Sequence, residues 1–573
     1  MPVSSIKHTK PNNDFDVVVI GSGAAGLSTA LSSAQQGLKV AVFEKSSVIG
    51  GTSAWSGGWM WLPQNPYAKE AGIADSKEEV KRYLTSVAKG SDLDPRVDTF
   101  LDAAPKMVEH YRSTTSVNFI AGNKVPDMQD LPGSVTGGRS LCAAPFNGRK
   151  LGKNIHFLRR PLDIASVWGM GIGSFELRQF YDALRKPTAF IHVCKRFLTH
   201  FKDLILFRRS MYLQNGNALA ASLFKSTLDL GVEHFTDVEI ETFISNKNGI
   251  SGVTIHRNGE SIEIKAKAVV SAAGGFPHNQ KLLNKYVAPR AGAKHFSAAV
   301  PENTGSIIEL AEKIGAAISS DYREGAAWAP CSRVKRADGS VGKYPHLLER
   351  GKPGIIAVGP DGHRFTNEAN CYHMFQQGYF DTYSDEQPVS WVIADHKAYR
   401  RWGLGWAKPA PFLNLRALKT GYLLKANSLN ELAQKMGVPS DSLNETVARF
   451  NDFAAKGKDL DFNRGESTYN KGVGDFEHKP NPSLGELKKP PFYAVKLDSG
   501  SLGTFIGLKT NHECQVVNAA DEPIPGLYAV GNEAASIFRG DYPSGGITLG
   551  PAMTFGYLCG KAIGKHFNNK PDN

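Results

Sequence analysis

The sequence predicts an α/β fold in which one domain is inserted into another, and three observations support this. A β-branched apolar run, Phe15–Ile20, leads into the glycine-rich segment GSGAAG and then into a helical pattern. Similar strand-like runs recur at Gly252–His256, Ala268–Ser271 and, close to the C-terminus, Gly526–Val530. Short apolar runs of this kind are typical of strands buried on both faces of a sheet. The region between the last two is richer in loops and proline, which indicates an interruption of the first domain.

The length of 573 residues exceeds the roughly 100–200 residues of a single domain. We therefore predict four segments: a polar tail (1–14), the first part of the α/β domain (15–289), an inserted α+β domain (290–488) and the second part of the α/β domain (489–573). Helical spacing in the insertion predicts helices at Ser428–Met436 and Asp441–Phe453.

Composition narrows the class of protein. The formal charge is +12, but no long Lys/Arg run accompanies it, so we expect a basic surface and no nucleic-acid binding. The six scattered cysteines lack metal-ligand spacing, which is typical of reduced thiols in the cytoplasm. No run reaches the roughly 18 apolar residues of a membrane span, and the polar start lacks the apolar core of a secretory signal. These features predict a cytoplasmic protein without metal.

A basic amphipathic stretch covers residues 185–212. It mixes Phe, Ile and Leu with cations such as Lys195, Arg196 and Lys202. Such a pattern marks either a membrane-surface helix or a helix that packs on the domain while its cations reach solvent. Both interpretations stay open, and the first implies peripheral contact with a membrane.

The first glycines form a dinucleotide-binding fingerprint. Gly21, Gly23 and Gly26 make G-x-G-x-x-G between a strand and a helix, where backbone N–H groups and the helix N-terminus can hold a pyrophosphate. Glu44 closes the next strand, 18 residues after Gly26, where an acid accepts the hydroxyls of an adenosine ribose. An acid here disfavours a 2′-phosphate. The first domain is therefore predicted to be of the Rossmann type.

Two further segments favour FAD over NAD. Lys45 is followed by Gly50-Gly51-Thr52-Ser53, and the C-terminal strand leads into Gly531-Asn532-Glu533. An acid after that strand can bind a ribityl chain. Both ends of the protein would then meet around one extended cofactor.

The segments DFDVVVIGSGAAG, VFEKSSVIGGTSAWSGGWMWLP, VVSAAGGF and YAVGNEAAS resemble the fumarate reductase/succinate dehydrogenase flavoprotein superfamily over nearly the whole chain. The resemblance implies one FAD, bound non-covalently because Ser53–Trp59 contains no histidine. The cofactor-binding positions predicted from the motifs and from this resemblance are Gly21, Gly23, Ala25, Gly26, Glu44, Lys45, Gly51, Thr52, Ser53, Gly58, Ala273, Gly274, Gly531, Asn532, Glu533, Gly546 and Leu549.

Within that superfamily, NEAASIFRGDYPSGGITLGPAMTFGY resembles the 3-ketosteroid Δ1-dehydrogenases and their relatives that desaturate cyclohexanone-type rings. Gly137-Gly138-Arg139 and RFTNEANCY support the resemblance. It implies 1,2-dehydrogenation of a 3-oxosteroid, a small lipophilic cyclic ketone as substrate, and an electron acceptor of quinone or dye type. The inserted domain would then be the substrate (catalytic) domain.

The chemistry of such a reaction sets three requirements. The ketone oxygen needs hydrogen-bond donors, a base must take the α-proton, and flavin N5 must receive the β-hydride. By resemblance, the Tyr542 hydroxyl and the Gly546 amide in YPSGG bind the ketone, and Tyr372 is the base.

One feature departs from the family. A second tyrosine normally precedes the GGR motif, but this chain has Met128 near that place. Either Tyr111, Tyr212 or His373 assists Tyr372, or the proton route differs. The aromatic residues considered for an apolar substrate pocket are Trp59, Trp61, Phe119, Trp168, Phe175, Trp328 and Phe505.

Four rival functions remain at this stage. The substrate can be a smaller ring, such as 4-oxocyclohexanecarboxylate, or the new double bond can lie at Δ4. More remote are a fumarate reductase-like enzyme, which would need arginine and histidine groups around two carboxylates, and a non-catalytic flavoprotein subunit.

Overall fold

The computed structural model describes residues 11–287, 295–383 and 389–568. Most of the predicted tail (1–14) and the predicted boundary at 289/290 lie outside the described residues. The fold is α/β, as predicted, with two sheets that carry most of the core.

The first sheet combines strands from the early and the late parts of the described chain. Its strands are Asp14–Ile20, Val40–Phe43, Glu233–Phe235, Glu239–Asn246, Gly249–Arg257, Glu260–Ser271, Gln515–Val517 and Pro523–Ala529. The parallel core places Asp14–Ile20 at its centre, with Val19 opposite both Val270 and Val42. The late strand Pro523–Ala529 pairs in parallel with Glu260–Ser271. The first domain is therefore interrupted and resumed, as the sequence predicts.

Two helices cover this sheet at very close range. Ala24–Ala34 packs against Leu549–Asn568, where the Ser28 Oγ donates to the Met553 carbonyl oxygen at 2.7 Å. A Cβ on Gly556 would lie 2.7 Å from the carbonyl oxygen of Ala25, so the contact needs a residue without a side chain. This packing places the N-terminus of Ala24–Ala34 at the carboxyl edge of the sheet.

The inserted domain is built on an antiparallel sheet. Its strands are Cys331–Lys335, Val341–Pro345, Ile355–Val358, Val389–Ala394, Leu424–Ala426 and Phe492–Asp498. Phe492–Asp498 lies in the middle of this sheet, paired with Val389–Ala394. This sheet therefore includes Phe492–Asp498, which lies after the predicted end of the inserted domain at 488; the domain boundaries stay a prediction.

The remaining elements connect these layers. The two helices predicted in the insertion are present at Leu429–Met436 and Ser440–Lys456. Other helices are Pro66–Glu70, Lys77–Val87, Arg96–Thr114, Leu177–Asp182, Pro187–Phe207, Asn215–Asp229, Gln280–Tyr286, Ser306–Lys313, Tyr372–Thr382, His396–Trp402, Leu415–Lys419 and Thr468–Val473. Short strands are Trp59–Trp61, Phe119–Ala121, Ser140–Ala143, Phe146–Asn147, Tyr212–Leu213, Phe296–Ser297, Ile318–Ser319, Ala326–Trp328, Gly500–Thr504 and Gly507–Leu508.

The helix Pro187–Phe207, called the inverted helix below, buries charged side chains and exposes apolar ones. Its buried side chains include Arg196, which pairs with Glu176 at 3.0 Å, and Asp203, which pairs with Arg149 at 2.5 Å. Its exposed side chains include six large apolar residues: Phe190, Ile191, Leu198, Phe201, Ile205 and Leu206. Among the described residues, no helix combines the length and hydropathy that crossing a bilayer requires.

Candidate active site

The glycine-rich turn sits at the carboxyl edge of the first sheet. Gly21 has φ +103°, and a Cβ there would lie 2.5 Å from the carbonyl oxygen of Ala272. A Cβ on Gly26 would lie 2.0 Å from the carbonyl oxygen of Gly21. The turn is therefore tight for both reasons that the fingerprint predicts: backbone geometry at Gly21 and close helix–strand packing at Gly26.

Glu44 ends the second strand beside this turn. Its carboxylate accepts hydrogen bonds from the backbone N–H of Ser22 at 3.0 Å and of Ser46 at 2.8 Å. Burial raises the pKa of Glu44, although these hydrogen bonds oppose the shift. Lys45 next to it pairs with Glu239 at 2.8 Å.

A third segment closes over the turn. Ser53 Oγ accepts from the Ala24 N–H at 2.9 Å, and Thr52 Oγ1 accepts from the Val300 N–H at 3.1 Å. These bonds tie residues 51–53 to both the first helix and the start of the inserted region.

All these groups line one continuous space, the central cleft, of about 2170 Å³ including its open mouth. Its nucleotide end is lined by Gly21, Gly23, Glu44, Lys45, Glu239 and Glu302, and its phenol end by Trp59, Met128, Ser174, Tyr372, Tyr469 and Tyr542. Without the open solvent at its mouth, the space measures about 400 Å³, within the roughly 300–1,000 Å³ of ligand pockets. The lining continues from the nucleotide end to the phenol end, so a cofactor and a substrate would share this cleft.

Of the predicted cofactor-binding residues, all but two line the central cleft. The two are Gly26, which packs the helix, and Glu533. Glu533 is fully buried and accepts from the Gly275 N–H at 2.8 Å, while its Oε1 has no partner among the described residues. Burial raises the pKa of Glu533 to about 7. Glu533 does not line the cleft, whereas its neighbour Asn532 does. The contact of Glu533 with a ribityl chain stays a prediction.

An extended FAD fits the cleft for reasons of local chemistry. The turn offers backbone without side chains where a pyrophosphate would lie, and an acid stands at the ribose position. Among the described residues, the cleft lining contains no histidine or cysteine, which supports non-covalent binding.

The phenol end brings two of the predicted catalytic residues together. The hydroxyl oxygens of Tyr372 and Tyr542 lie 2.5 Å apart, with ring centroids 5.1 Å apart in an edge-to-face arrangement. Tyr372 begins the helix Tyr372–Thr382 of the inserted domain, whereas Tyr542 precedes the C-terminal helix. Both rings are buried. The site therefore forms where the two domains meet.

Both phenols are protonated near neutral pH. Burial, with a further contribution from Tyr542, raises the pKa of Tyr372 well above its usual range. Burial likewise raises the pKa of Tyr542 above its usual range. A low-dielectric site disfavours a phenolate, so Tyr372 cannot act as a base by being ionised in advance.

Gly546 forms the wall beside Tyr542. It has φ +95°, and a Cβ there would lie 2.5 Å from the carbonyl oxygen of Trp59. Its own carbonyl oxygen accepts from the Trp61 N–H at 3.1 Å. No acceptor for the Gly546 N–H is found among the described residues, and Gly546 lines the cleft.

The Tyr542 segment is fixed by its neighbours. The Pro543 carbonyl oxygen accepts from the Tyr83 hydroxyl at 2.5 Å and from the Met128 N–H at 3.1 Å. Met128, which the resemblance puts near the place of the family's second tyrosine, thus contacts the Tyr542 segment through its backbone and lines the cleft. Ser544 is fully buried and does not line the cleft.

The residues suggested as substitutes lie elsewhere or act differently. Tyr111 is hydrogen-bonded to Ser28 at 2.8 Å, away from the cleft, and Tyr212 is 38% exposed. His373 stacks on Tyr542 with ring centroids 5.4 Å apart, and burial lowers its pKa to about 3, so it is neutral. Its Nδ1 accepts from the Trp328 N–H at 3.1 Å.

Tyr469 is the residue that sequence reasoning missed. It is the second residue of the short helix Thr468–Val473, and its buried side chain lines the central cleft. Its charge state influences the pKa of Tyr372, which places it within electrostatic range of that phenol. No local motif surrounds it; only its place in the fold reveals it.

Most of the aromatic pocket candidates are not part of the site. Trp59 lines the cleft, and its indole N–H donates to Ser174 Oγ at 3.0 Å. The others do not line it: Trp61, Phe119, Trp328 and Phe505 are buried in the core, while Trp168 and Phe175 are largely exposed.

The chain is similar in sequence to known flavoproteins over nearly its whole length. A family model described as an FAD binding domain matches residues 16–549. The chain is 37% identical to the 4-oxocyclohex-2-ene-1-carboxylate 5-dehydrogenase of Sinomonas cyclohexanicum over 568 residues, which cover 98% of this chain and 96% of that protein. It is 34% identical to the 3-oxosteroid 1-dehydrogenase of Mycolicibacterium smegmatis, covering 95% of this chain and 96% of that protein.

A solved structure is similar over the whole chain. It is the 3-ketosteroid Δ1-dehydrogenase from Sterolibacterium denitrificans in complex with 1,4-androstadiene-3,17-dione, with a TM-score of 0.88 and 32% identity, covering 97% of this chain and all of that one.

Proposed function

Because this chain belongs to the FAD-binding family that includes the 3-oxosteroid 1-dehydrogenases, we propose that it desaturates a cyclic ketone, with 3-oxosteroid 1,2-dehydrogenation as the favoured reaction. Its cofactor is FAD, which when bound accepts the hydride. The observation that carries the proposal is the 2.5 Å contact between the hydroxyls of Tyr372 and Tyr542 in the same cleft as the nucleotide-binding turn.

The reaction turns a CH–CH pair beside a ketone into C=C and releases one proton and one hydride. The Tyr542 hydroxyl and the Gly546 N–H donate to the ketone oxygen, which stabilises the charge that develops there as the α-carbon loses its proton. Tyr372 receives that proton.

A protonated phenol can accept a proton only if it gives up its own. The contact between the two tyrosines supplies the route: the Tyr372 proton moves to the Tyr542 oxygen, the Tyr542 proton moves to the ketone oxygen, and the α-proton moves to Tyr372. The net change is keto to enol with no net charge created in the buried site. The enol O–H proton is released when the β-hydride leaves, which yields the enone.

The lining of the phenol end favours a neutral ring. The charged side chains that line the described cleft, Glu44, Lys45, Glu239 and Glu302, belong to its nucleotide end. A substrate carboxylate at the phenol end would be buried without a cationic partner. An unpaired buried polar group costs about 1–3 kcal/mol, and a charged group costs more. A steroid ketone therefore suits the cleft better than 4-oxocyclohexanecarboxylate. That smaller ring remains the second candidate because a 34% identical relative is named 4-oxocyclohexanecarboxylate 2-dehydrogenase, and the 37% identical relative is also named for a ring ketone that carries a carboxylate.

A panel of ketones tests the proposal. We expect androst-4-ene-3,17-dione to bleach the flavin of the purified protein without oxygen, and a dye acceptor to restore the colour. 4-Oxocyclohexanecarboxylate should reduce the flavin more slowly, and NMR of the products should place the new double bond at C1–C2. Reduction by the carboxylate alone would replace the steroid assignment, and a flavin untouched by every ketone would contradict desaturation itself.

We also propose that the inverted helix Pro187–Phe207 contacts a membrane surface. Of the eighteen large apolar side chains exposed in the described part of the chain, ten lie between Trp168 and Tyr212. Trp168 packs against Phe201 and Phe412 at ring-centroid distances of 6.0 Å, which joins three segments into one apolar face. Exposed cations such as Lys195 and Lys202 flank it. This pairing of apolar face and cations fits an anionic bilayer.

Vesicle sedimentation tests the membrane contact. Leu198→Asp, at a side chain that is 70% exposed, should abolish co-sedimentation with phosphatidylcholine/phosphatidylglycerol vesicles. Leu230→Asp, at an exposed leucine in a different part of the surface, is the matched control and should bind like the parent. Equal effects of both changes on vesicle binding would refute the membrane contact. So would a change of oligomeric state in Leu198→Asp with its vesicle binding unchanged.

A further inference from the structure

A second cavity lies at the foot of the inverted helix and shares no residue with the central cleft. It measures about 40 Å³ and is partly open to solvent, and its polar lining includes Arg160, Arg209, Ser210, Gln214 and Asn217. Trp168 and Leu204 line it on the side of the apolar face.

Arg209 is a buried cation with unused hydrogen-bond donors. It is 5% exposed. Its Nη1 donates to the carbonyl oxygens of Ile155 at 2.6 Å and Leu158 at 3.0 Å, whereas Nε and Nη2 have no partner among the described residues. Backbone carbonyls position a guanidinium, but they do not neutralise its charge. Two donors of the planar fork are therefore left unpaired in a buried place, which is unfavourable.

A second arginine acts on Arg209. Burial, with a further contribution from the charge of Arg160, lowers the pKa of Arg209 to about 10, so Arg209 remains cationic near neutral pH. Arg160 donates to the Arg208 carbonyl oxygen at 3.2 Å. Among the described residues, no carboxylate pairs with either arginine. Two like charges held beside one cavity without a counter-charge form a site that an anion would complete.

We propose that this cavity binds a phosphate-type anion, and that its source is the headgroup of an anionic phospholipid. A planar guanidinium with two free N–H groups matches the geometry of phosphate oxygens. The position favours a lipid, because the cavity opens beside the apolar face that would lie in the bilayer. The choice of a lipid rests on the proposed membrane contact; the anion site itself does not.

Two variants distinguish the effect of the buried cation from the effect of losing one positive charge. Arg209→Gln removes the buried cation, whereas Arg208→Gln removes the same charge from an exposed neighbour that does not line the cavity. Arg160→Gln provides a second change within the lining should Arg209→Gln fold poorly. The flavin spectrum of each variant reports whether the fold is intact.

In the vesicle arm, the parent holoenzyme should bind phosphatidylglycerol-containing vesicles at least tenfold more tightly than pure phosphatidylcholine vesicles. Arg209→Gln or Arg160→Gln should remove that preference but keep weak binding to phosphatidylcholine, while Arg208→Gln keeps the preference. Leu198→Asp, in contrast, should lose binding to both vesicle types.

In the soluble arm, inorganic phosphate should raise the melting temperature of the parent and of Arg208→Gln, but not of Arg209→Gln. Stabilisation by phosphate without any lipid preference would assign the site to free phosphate and overturn the lipid source. Equal loss in Arg208→Gln and Arg209→Gln, or no response to phosphate or lipid, would overturn the site. Failure of the parent to bind any vesicle, with the phosphate response intact, would refute the membrane contact and the lipid source that depends on it, but not the anion site.

Discussion

Replacing Tyr372 by phenylalanine removes one hydroxyl from the buried pair and leaves its ring in place. In the relay, this hydroxyl both gives a proton to Tyr542 and receives the α-proton, so its loss breaks both transfers. Loss of a positioned general base lowers a rate by about 10²–10⁴-fold, which is about 3–5 kcal/mol of barrier. We expect flavin reduction to fall by at least 10²-fold.

The folded state should tolerate this change. The Tyr542 hydroxyl loses its 2.5 Å partner, and a buried unsatisfied group costs about 1–3 kcal/mol. Because Tyr542 lines the central cleft, water or the ketone can replace the partner, and we expect the loss of unfolding free energy to lie near the lower limit. FAD binding should not change, because the cofactor-binding turn does not contact Tyr372.

Anaerobic stopped-flow measurement separates rate from binding. The enzyme is mixed with androst-4-ene-3,17-dione, and flavin absorbance is followed at several ketone concentrations. Tyr372→Phe should reduce the limiting rate with nearly unchanged affinity. Tyr542→Phe should weaken both, since its hydroxyl contacts the ketone before and during reaction.

Tyr111→Phe is the matched control. This phenol is also buried and hydrogen-bonded, but to Ser28 outside the cleft, so its removal should leave flavin reduction unchanged. Unaltered flavin reduction in Tyr372→Phe would refute the relay. A large effect of Tyr469→Phe combined with none in Tyr372→Phe would transfer the proton-accepting role to Tyr469.

The other predictions concern the cofactor and pH. Gly26→Ala should yield protein without flavin, because its Cβ would lie 2.0 Å from the Gly21 carbonyl oxygen, while Gly472→Ala, also helical but with its nearest atom 4.0 Å away, should retain the flavin spectrum. Acid precipitation should release free FAD into the supernatant; yellow colour remaining in the pellet would contradict non-covalent binding. Burial raises the pKa of Asp541 to about 6, so the folded state holds this proton more tightly than the unfolded state. The free energy of unfolding should therefore fall, by up to about 3 kcal/mol, as pH rises from about 4 to above 6; urea titrations of Asp541→Asn should lack this component, and an identical slope in the variant would exclude it.

Local patterns were sufficient for the nucleotide end of the site. The turn at Gly21 and the acid Glu44 are determined by a strand, a turn and a helix that follow one another in the chain, so spacing alone predicts their meeting. Tyr372 and Tyr542 were proposed by resemblance. The structure places their hydroxyl oxygens 2.5 Å apart, and their chemical roles stay proposals.

Long-range packing explains what the sequence left out. Tyr469 lies far along the chain from Tyr372 and Tyr542 and belongs to no motif, so only the folded arrangement brings it to the cleft. The orientation of Glu533 depends on the Gly275 N–H, a partner 258 residues away. The inverted helix was ambiguous because an amphipathic pattern shows two faces without showing which one is covered; here Arg196 and Asp203 find buried ion-pair partners, which turns the apolar face outward.

The two phenols reach the cleft from opposite sides of a domain boundary. A small rotation of the inserted domain would separate their oxygens by more than a proton can cross, while leaving each residue's own surroundings intact. Turnover would then stop without any change in cofactor or fold. Formation of the pair thus depends on the relative position of the two domains, and the rate of the enzyme should depend on the contacts between them.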